Sequence, residues 1–201
     1  NSASRTDFAA AGIMVTESGE NKIQVKNSGV IKLDVSDLGD FEETVNSEGG
    51  QIASAVLFAS TAADFSNTGR LYNSGNARAL SLYEGSDVTL QNGFGYAFTG
   101  NPDDNRRPIY VDETSKLDLN GVPLVVEGTS DTVLDKPYYL IDQSGEVESA
   151  WGPLEKAYAN QDITVDWYGN DRAGNSAVIF NLEPKGNKSA RAGIAARTAA
   201  Y

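Results

Sequence analysis

Two adjacent carboxylates, Asp103 and Asp104, are the residues whose types and spacing most suggest chemistry. Paired acids perform glycoside hydrolysis, and a polysaccharide lyase would combine an arginine base, here Arg106, with calcium held by the acids. No second acidic cluster accompanies them on another predicted strand, and the chain contains no histidine. Because Pro102 and Asn105 flank the pair, the pattern favours a charged turn over a catalytic site.

A second candidate is the loop that contains Asn170, Asp171 and Asn175 together with two glycines. Oxygen ligands and glycines are typical of calcium loops. This loop lacks the alternating acidic spacing and the terminal glutamate of such loops, and a hairpin turn explains the same residues. We therefore expect no metal ligand here.

The composition excludes several further kinds of site. Cysteine and histidine are both absent, so disulfides, thiolate nucleophiles, Cys/His zinc sites and Ser–His–Asp catalysis are ruled out. We expect no catalytic residue, no metal and no cofactor, and we predict that the protein is not an enzyme.

The charge of the chain limits its partners. Lys+Arg is 16 and Asp+Glu is 28, which gives a formal net charge of -12. Such a field repels a phosphate backbone, and Arg78, Arg106 and Arg107 are too few for a nucleic-acid surface. Nucleic acid is therefore not expected as a partner.

The chain has no apolar run near the roughly 20 residues that a membrane-spanning helix requires. It shows no signal peptide and begins with Asn. We therefore expect the sequence to be a mature or excised segment, from which any targeting signal is already missing.

Short strands dominate the rest of the sequence. Apolar residues recur two positions apart, usually around a polar residue, as in half-buried strands. The pairs are Ile23/Val25, Ile31/Leu33, Leu80/Leu82, Val88/Leu90, Ile109/Val111, Leu117/Leu119 and Leu124/Val126. Turns rich in Asn and Gly separate the strands, since both residues tolerate positive φ. The pattern predicts an all-β protein.

An internal repeat indicates how these strands are arranged. Residues 81–93 align without gaps on residues 109–121, an offset of 28, and the longer stretch 13–29 forms a third copy. One such unit cannot bury its apolar face alone, whereas stacked units would form a continuous core. We predict a right-handed parallel β-solenoid (β-helix), with an antiparallel β-sandwich as the alternative.

Two stretches interrupt the repeat. Residues 36–45 are acidic and would form a short helix or a loop, and residues 94–108 start with aromatics and end in a polar insertion. Loops that protrude from a regular scaffold often bind partners. The candidate binding residues are Tyr96, Phe98, Asp103, Asp104 and Arg106, and Phe94 and Tyr110 would add to an aromatic stacking platform for a glycan.

The chain from residue 138 onward predicts a distinct module. Residues 138–142, 163–168 and 177–182 have strand patterns, and the loop between the last two would make a hairpin. Residues 149–160 would form a short helix over the end of the stack, with Trp151 and Leu154 as anchors. The hairpin residues expected to cover that end are Trp167, Tyr168 and Phe180.

This module resembles the segment that closes the passenger of a bacterial autotransporter. That segment has a strand followed by Ser-Gly, an irregular loop, a strand that ends in an aromatic residue, a turn and a final strand. The matching residues are Tyr138, Tyr139, Leu140, Ile141, Ser144 and Gly145, followed by Trp167, Tyr168, Gly169, Asn170, Val178 and Leu182.

The resemblance implies solenoid coils over residues 1–128, a capping, autochaperone-like module over 129–182, and an Ala-rich basic linker or tail over 183–201. The function implied is structural or adhesive, in a monomeric protein that is displayed at the bacterial cell surface or outer membrane, or secreted. The module would cap the solenoid and assist its folding after secretion. The implied partners are a host-surface or glycan receptor and a downstream outer-membrane β-barrel.

Two other functions remain open from the residues themselves. The aromatic loop is compatible with a carbohydrate-binding or carbohydrate-active β-helix protein. A free-standing surface-layer or envelope protein, with no barrel, is the other alternative.

Overall fold

The computed structural model describes residues 8–16, 19, 21–33, 52–73, 77–103, 107–157 and 163–182. This part of the chain confirms the all-β prediction, since it contains sixteen strands and no helix. The strands are β1 (Phe8–Thr16), β2 (Ile23–Asn27), β3 (Val30–Leu33), β4 (Ile52–Ala59), β5 (Ala62–Asn73), β6 (Arg78–Tyr83), β7 (Asp87–Phe98), β8 (Ile109–Val111), β9 (Lys116–Asp118), β10 (Leu124–Gly128), β11 (Pro137–Tyr139), β12 (Ile141–Gln143), β13 (Glu146–Glu148), β14 (Leu154–Lys156), β15 (Ile163–Tyr168) and β16 (Ala177–Leu182). In these ranges there is accordingly no helix long and apolar enough to cross a bilayer.

Two parallel sheets form most of the fold. Sheet A has the order β1-β4-β6-β8-β12. In sheet B, β2 and β3 pair with β5, β5 with β7, β7 with β9 and β10, and these two with β13 and β14. All described pairings within both sheets are parallel, which rules out the antiparallel sandwich for them.

Each of five successive chain segments contributes one strand to sheet A and then one or more strands to sheet B. The first segment contains β1–β3, the second β4 and β5, the third β6 and β7, the fourth β8–β10 and the fifth β12–β14. The chain order of the segments is therefore also their spatial order in both sheets.

Apolar side chains at equivalent positions of successive segments lie side by side in the core. On sheet A, equivalent positions pair from segment to segment; on one such ladder they are Ile13, Val56, Leu80, Ile109 and Ile141. The three central residues of this ladder have no exposed surface. Full burial of such a side chain stabilises the fold by roughly 1.5–3 kcal/mol, so the ladders account for the regular stacking.

The repeat has a spacing of 29 residues, so the predicted offset of 28 is wrong. Leu80 pairs with Ile109, and Val88 pairs with Leu117. An offset of 28 would place Val88 beside Lys116, and a slip of one residue moves side chains to the opposite face of a sheet. The Asn-Gly pairs at 92–93 and 120–121 lie 28 residues apart in the sequence, but the paired strands follow the spacing of 29.

A column of glycines allows close backbone contact between successive segments at sheet B. A Cβ atom on Gly69 would lie 1.9 Å from the carbonyl oxygen of Gly29, and one on Gly95 would lie 1.9 Å from that of Gly69. No side chain fits at such distances. The three glycines therefore occupy equivalent places in the first, second and third segments because the backbones touch there.

A third sheet lies at the C-terminal end. Sheet C is antiparallel, with the order β11-β16-β15, and the predicted hairpin of β15 and β16 is confirmed. Val178 and Phe180 are buried and belong to the main core, and Trp167 packs partly against it, whereas Tyr168 is exposed. Of the three residues expected to cover the stack, two contact its core.

Two details of the C-terminal prediction are corrected. The strand expected over 138–142 is divided at Leu140, because β11 belongs to sheet C and β12 to sheet A. The expected helix over 149–160 is wrong for the described residues, since β14 pairs with β10 through Leu154 and Leu124. Pairing with β10 satisfies backbone groups that would otherwise form an open edge.

Both predicted anchors of this region do contact the core: Trp151 is buried and Leu154 is partly buried. Sheet A continues to β12 and sheet B to β14, both past residue 128. The predictions for residues 36–45 and 183–201 lie outside the described residues.

Candidate functional site

A small cleft lies where the end of β7 and the following loop meet β11. Its volume is about 210 Å3. The loop residues that border it come from both sides of the three positions 104–106, which are outside the described residues. The lining residues are Tyr96, Phe98, Thr99, Pro102, Arg107, Pro108, Tyr138 and Tyr139.

Aromatic rings form one side of the cleft and fix its shape. Tyr96 and Phe98 pack edge to face with ring centroids 4.6 Å apart, and the Phe98 ring is 5.0 Å from that of Tyr138. The Tyr138 hydroxyl donates to the carbonyl of Gly100 at 2.6 Å and accepts from the amide of Val133 at 2.7 Å. Burial raises the pKa of Tyr138 above its ordinary value of 10.0, so the phenol stays neutral near pH 7.

Of the described residues in the lining, Arg107 is the one with a cationic side chain. Its guanidinium lies 5.0 Å from the centroid of the Tyr139 ring, and Nη1 donates to the carbonyl of Ile141 at 2.8 Å. The backbone carbonyl of Arg107 accepts from Arg78 Nη1 at 2.9 Å, and Arg78 also forms an ion pair with Asp142 at 2.8 Å. The position of Arg107 is thus held by contacts to two strands of sheet A.

Tyr110 lies beside this network, outside the cleft lining. The Arg78 guanidinium is 5.1 Å from its ring centroid, and the Tyr83 ring is 5.2 Å away. Burial, followed by the charge of Asp112, raises the pKa of Tyr110 above 10.0. Tyr110 is therefore a neutral packing residue near physiological pH.

The structure brings together only part of the predicted binding set. Tyr96 and Phe98 line the cleft, but each is only 3% exposed, so they offer edges and no open stacking face. Asp103 is exposed and paired with Lys136 through its carboxylate. Asp104 and Arg106 lie outside the described residues. Phe94 is not available to the predicted aromatic platform, because its ring is buried against Trp151.

Sequence reasoning missed six residues of the lining as site residues: Thr99, Pro102, Arg107, Pro108, Tyr138 and Tyr139. Both tyrosines had been assigned to a strand, and nothing local placed that strand beside the loop. The available signal was the adjacent pair of tyrosines, because alternate residues of a strand point to opposite faces. One of the two had to be on the outer face, and Tyr139 is 41% exposed.

The described ranges contain no group of three or more acidic residues that could hold a metal ion. In the loop tested above as a calcium site, the Asp171 carboxylate accepts a hydrogen bond from the amide of Ala173 at 2.7 Å. That contact is typical of an Asx turn, which agrees with the hairpin interpretation.

Comparisons with protein-family models, curated proteins and solved structures found no match to this chain.

Proposed function

We propose that this chain is the C-terminal part of an autotransporter passenger, built as a right-handed parallel β-solenoid and displayed at the bacterial surface or secreted. Its role would be structural or adhesive, with no catalysis of its own. Sheet C and the last segment would act as the cap that helps the passenger fold after secretion.

One observation carries the proposal: successive segments enter two parallel sheets in chain order. A solenoid requires that arrangement, since each repeat contacts only its neighbours. The right hand follows because crossover connections between parallel strands of one sheet are right-handed in nearly all proteins. The motif resemblance of the C-terminal module supplies the link to autotransporters.

The contacts at the C-terminal end of the stack favour a cap at that end. Trp151, in the last segment, is buried; its backbone amide donates to the carbonyl of Arg172 at 2.8 Å and its indole N–H to the hydroxyl of Ser176 at 3.1 Å. Its ring also lies 5.8 Å from that of Phe94. The loop of the final hairpin is therefore attached to the last segment through Trp151.

The test is expression of the complete reading frame in a bacterium with an outer membrane, comparing Trp151→Ala with Tyr168→Ala. We expect Trp151→Ala to destabilise the cap by about 3–5 kcal/mol and to reduce the protease-resistant protein at the cell surface. Tyr168→Ala is the matched control and should behave like wild type, because Tyr168 is an aromatic residue of the final hairpin that is 47% exposed.

Three results would contradict the proposal. The autotransporter assignment fails if the frame beyond Tyr201 encodes no membrane barrel, or if the protein stays inside the cell. The capping role fails if Trp151→Ala and Tyr168→Ala give equal amounts of folded surface protein.

A further inference from the structure

We propose that the cleft between the β7 loop and β11 binds a single carboxylate-bearing sugar residue, such as a uronic acid. Arg107 would pair with the carboxylate. This inference concerns the cleft alone and does not depend on how the chain is exported.

The size of the cleft limits the ligand to one small ring. Its volume of about 210 Å3 is below the roughly 300–1,000 Å3 of pockets for drug-sized ligands. A proline-rich peptide, which also favours tyrosine and proline surfaces, needs a groove several residues long at about 3.1 Å per residue. A cleft of this volume therefore fits a sugar ring better than an extended peptide.

The charge at the cleft favours an anion, although the chain carries -12 overall. Among the residues that the structure describes, the lining includes Arg107 and contains no carboxylate. Two described acids of this region are paired with other cations, Asp103 with Lys136 and Asp142 with Arg78. An anionic ligand would therefore meet a cation whose charge no lining residue neutralises.

Arg107 retains the means to bind a carboxylate. A guanidinium has five N–H donors in a planar fork that matches a carboxylate. One nitrogen, Nη1, donates to the carbonyl of Ile141, and Cζ lies 5.0 Å from the centroid of the Tyr139 ring. The Tyr139 ring and the Ile141 carbonyl hold the group in place before a ligand arrives, which lowers the entropy lost on binding.

The rest of the lining suits the body of a sugar. A sugar ring presents apolar C–H faces together with hydroxyl groups, so it needs both apolar surface and polar groups. The apolar surface comes from Pro102, Pro108 and the edges of Tyr96 and Phe98, and the polar groups include the Thr99 side chain. A bare small anion would use Arg107 and leave this surface without a role.

The experiment is a titration of the whole chain with glucuronate, glucose and acetate, followed by amide chemical shifts in NMR spectra. We expect glucuronate to bind at least about tenfold more tightly than glucose or acetate, because it alone has both the ring and the charge. The shifts should be centred on Thr99, Arg107 and Tyr139. This mapping uses the wild-type protein and needs no variant to fold.

Two variants then assign the contact. Arg107→Gln should weaken glucuronate binding at least about tenfold and leave the weak binding of glucose unchanged. Arg172→Gln is the matched control, because Arg172 also stacks on an aromatic ring, that of Trp167 at 5.6 Å, and is not part of the cleft. It should bind glucuronate like wild type.

Several outcomes would overturn the inference. Equal binding of acetate and glucuronate would reduce the cleft to a simple anion site, and equal binding of glucose would remove the role of Arg107. Shifts away from the lining, or undiminished binding by a folded Arg107→Gln protein, would each contradict it. So would a proline-rich peptide that displaces glucuronate from the cleft and binds more tightly. None of these results bears on the cap experiment with Trp151.

Discussion

At the scale of single residues, a buried asparagine shows how polar groups are accommodated in this apolar stack. Asn67 has no exposed surface. Its side-chain oxygen accepts from Asn27 Nδ2 at 2.8 Å, and its own Nδ2 donates to the carbonyl of Gly95 at 2.7 Å. Asn67 therefore links the first, second and third segments, and each buried polar atom in this chain of contacts has a partner.

Replacing Asn67 with Ala should lower the free energy of unfolding by about 1–3 kcal/mol, since it leaves the Gly95 carbonyl and part of the Asn27 amide without their partners. Urea unfolding followed by circular dichroism measures this loss. Asn170→Ala, in the exposed turn of the final hairpin, is the control and should change stability by less than about 0.5 kcal/mol. A loss for Asn67→Ala no larger than for the control would show that the hydrogen bonds of Asn67 to Asn27 and Gly95 contribute no measurable stability.

At the scale of elements, close contact between backbones decides where side chains are tolerated. Gly95 lies within β7 next to Gly69 of β5, and an added Cβ would also lie 2.7 Å from Nη1 of Arg70. The two strands can approach there only while both residues lack side chains. The close approach of β5 and β7 therefore depends on glycine at two neighbouring positions.

Gly95→Ala should destabilise the protein by about 1–3 kcal/mol, because the methyl group must displace the Gly69 backbone in a packed interior. Gly29→Ala is the matched control: a Cβ at Gly29 meets no atom closer than 3.8 Å. Thermal unfolding of the two variants compares them directly. If both melt at the same temperature as wild type, the close contact between β5 and β7 is wrong.

At the scale of the whole molecule, burial changes along the stack. On the sheet A ladder, Ile13 in the first segment is only partly buried, whereas Leu80 in the third has no exposed surface. In the described residues β1 has one paired edge, toward β4. The first segment therefore has less packing than the segments that have neighbours on both sides.

Two truncations on the same ladder test this gradient. Leu80→Ala should lower the free energy of unfolding by about 2–5 kcal/mol, and Ile13→Ala by distinctly less, because a half-buried side chain leaves a smaller cavity. Hydrogen exchange should likewise be faster in β1 than in β6. Equal losses for the two variants would mean that the first segment is as tightly packed as the third.

The sequence by itself determined the parts of this protein that depend on neighbouring residues. Alternation such as Ile109/Val111 predicts strands, and the loop around Gly169 predicts a hairpin, because side-chain period and turn chemistry are local properties. The absence of cysteine and histidine excludes their chemistry without any structure. The apolar pattern also gave Trp151 and Leu154 as anchors, since large apolar residues in a polar stretch have few other roles.

Only the tertiary structure decided which strands pair and what the pairing leaves exposed. The alignment of Asn92 on Asn120 pointed to an offset of 28, but burial of Val88 against Leu117 sets 29, because register follows the core. The stretch around Leu154 is a strand because it pairs with β10, and no local sequence pattern indicates that pairing. The cleft could not be predicted from the sequence either. Tyr96 and Tyr139 are distant in sequence, and they line one site because the chain moves from sheet C to sheet A at Leu140.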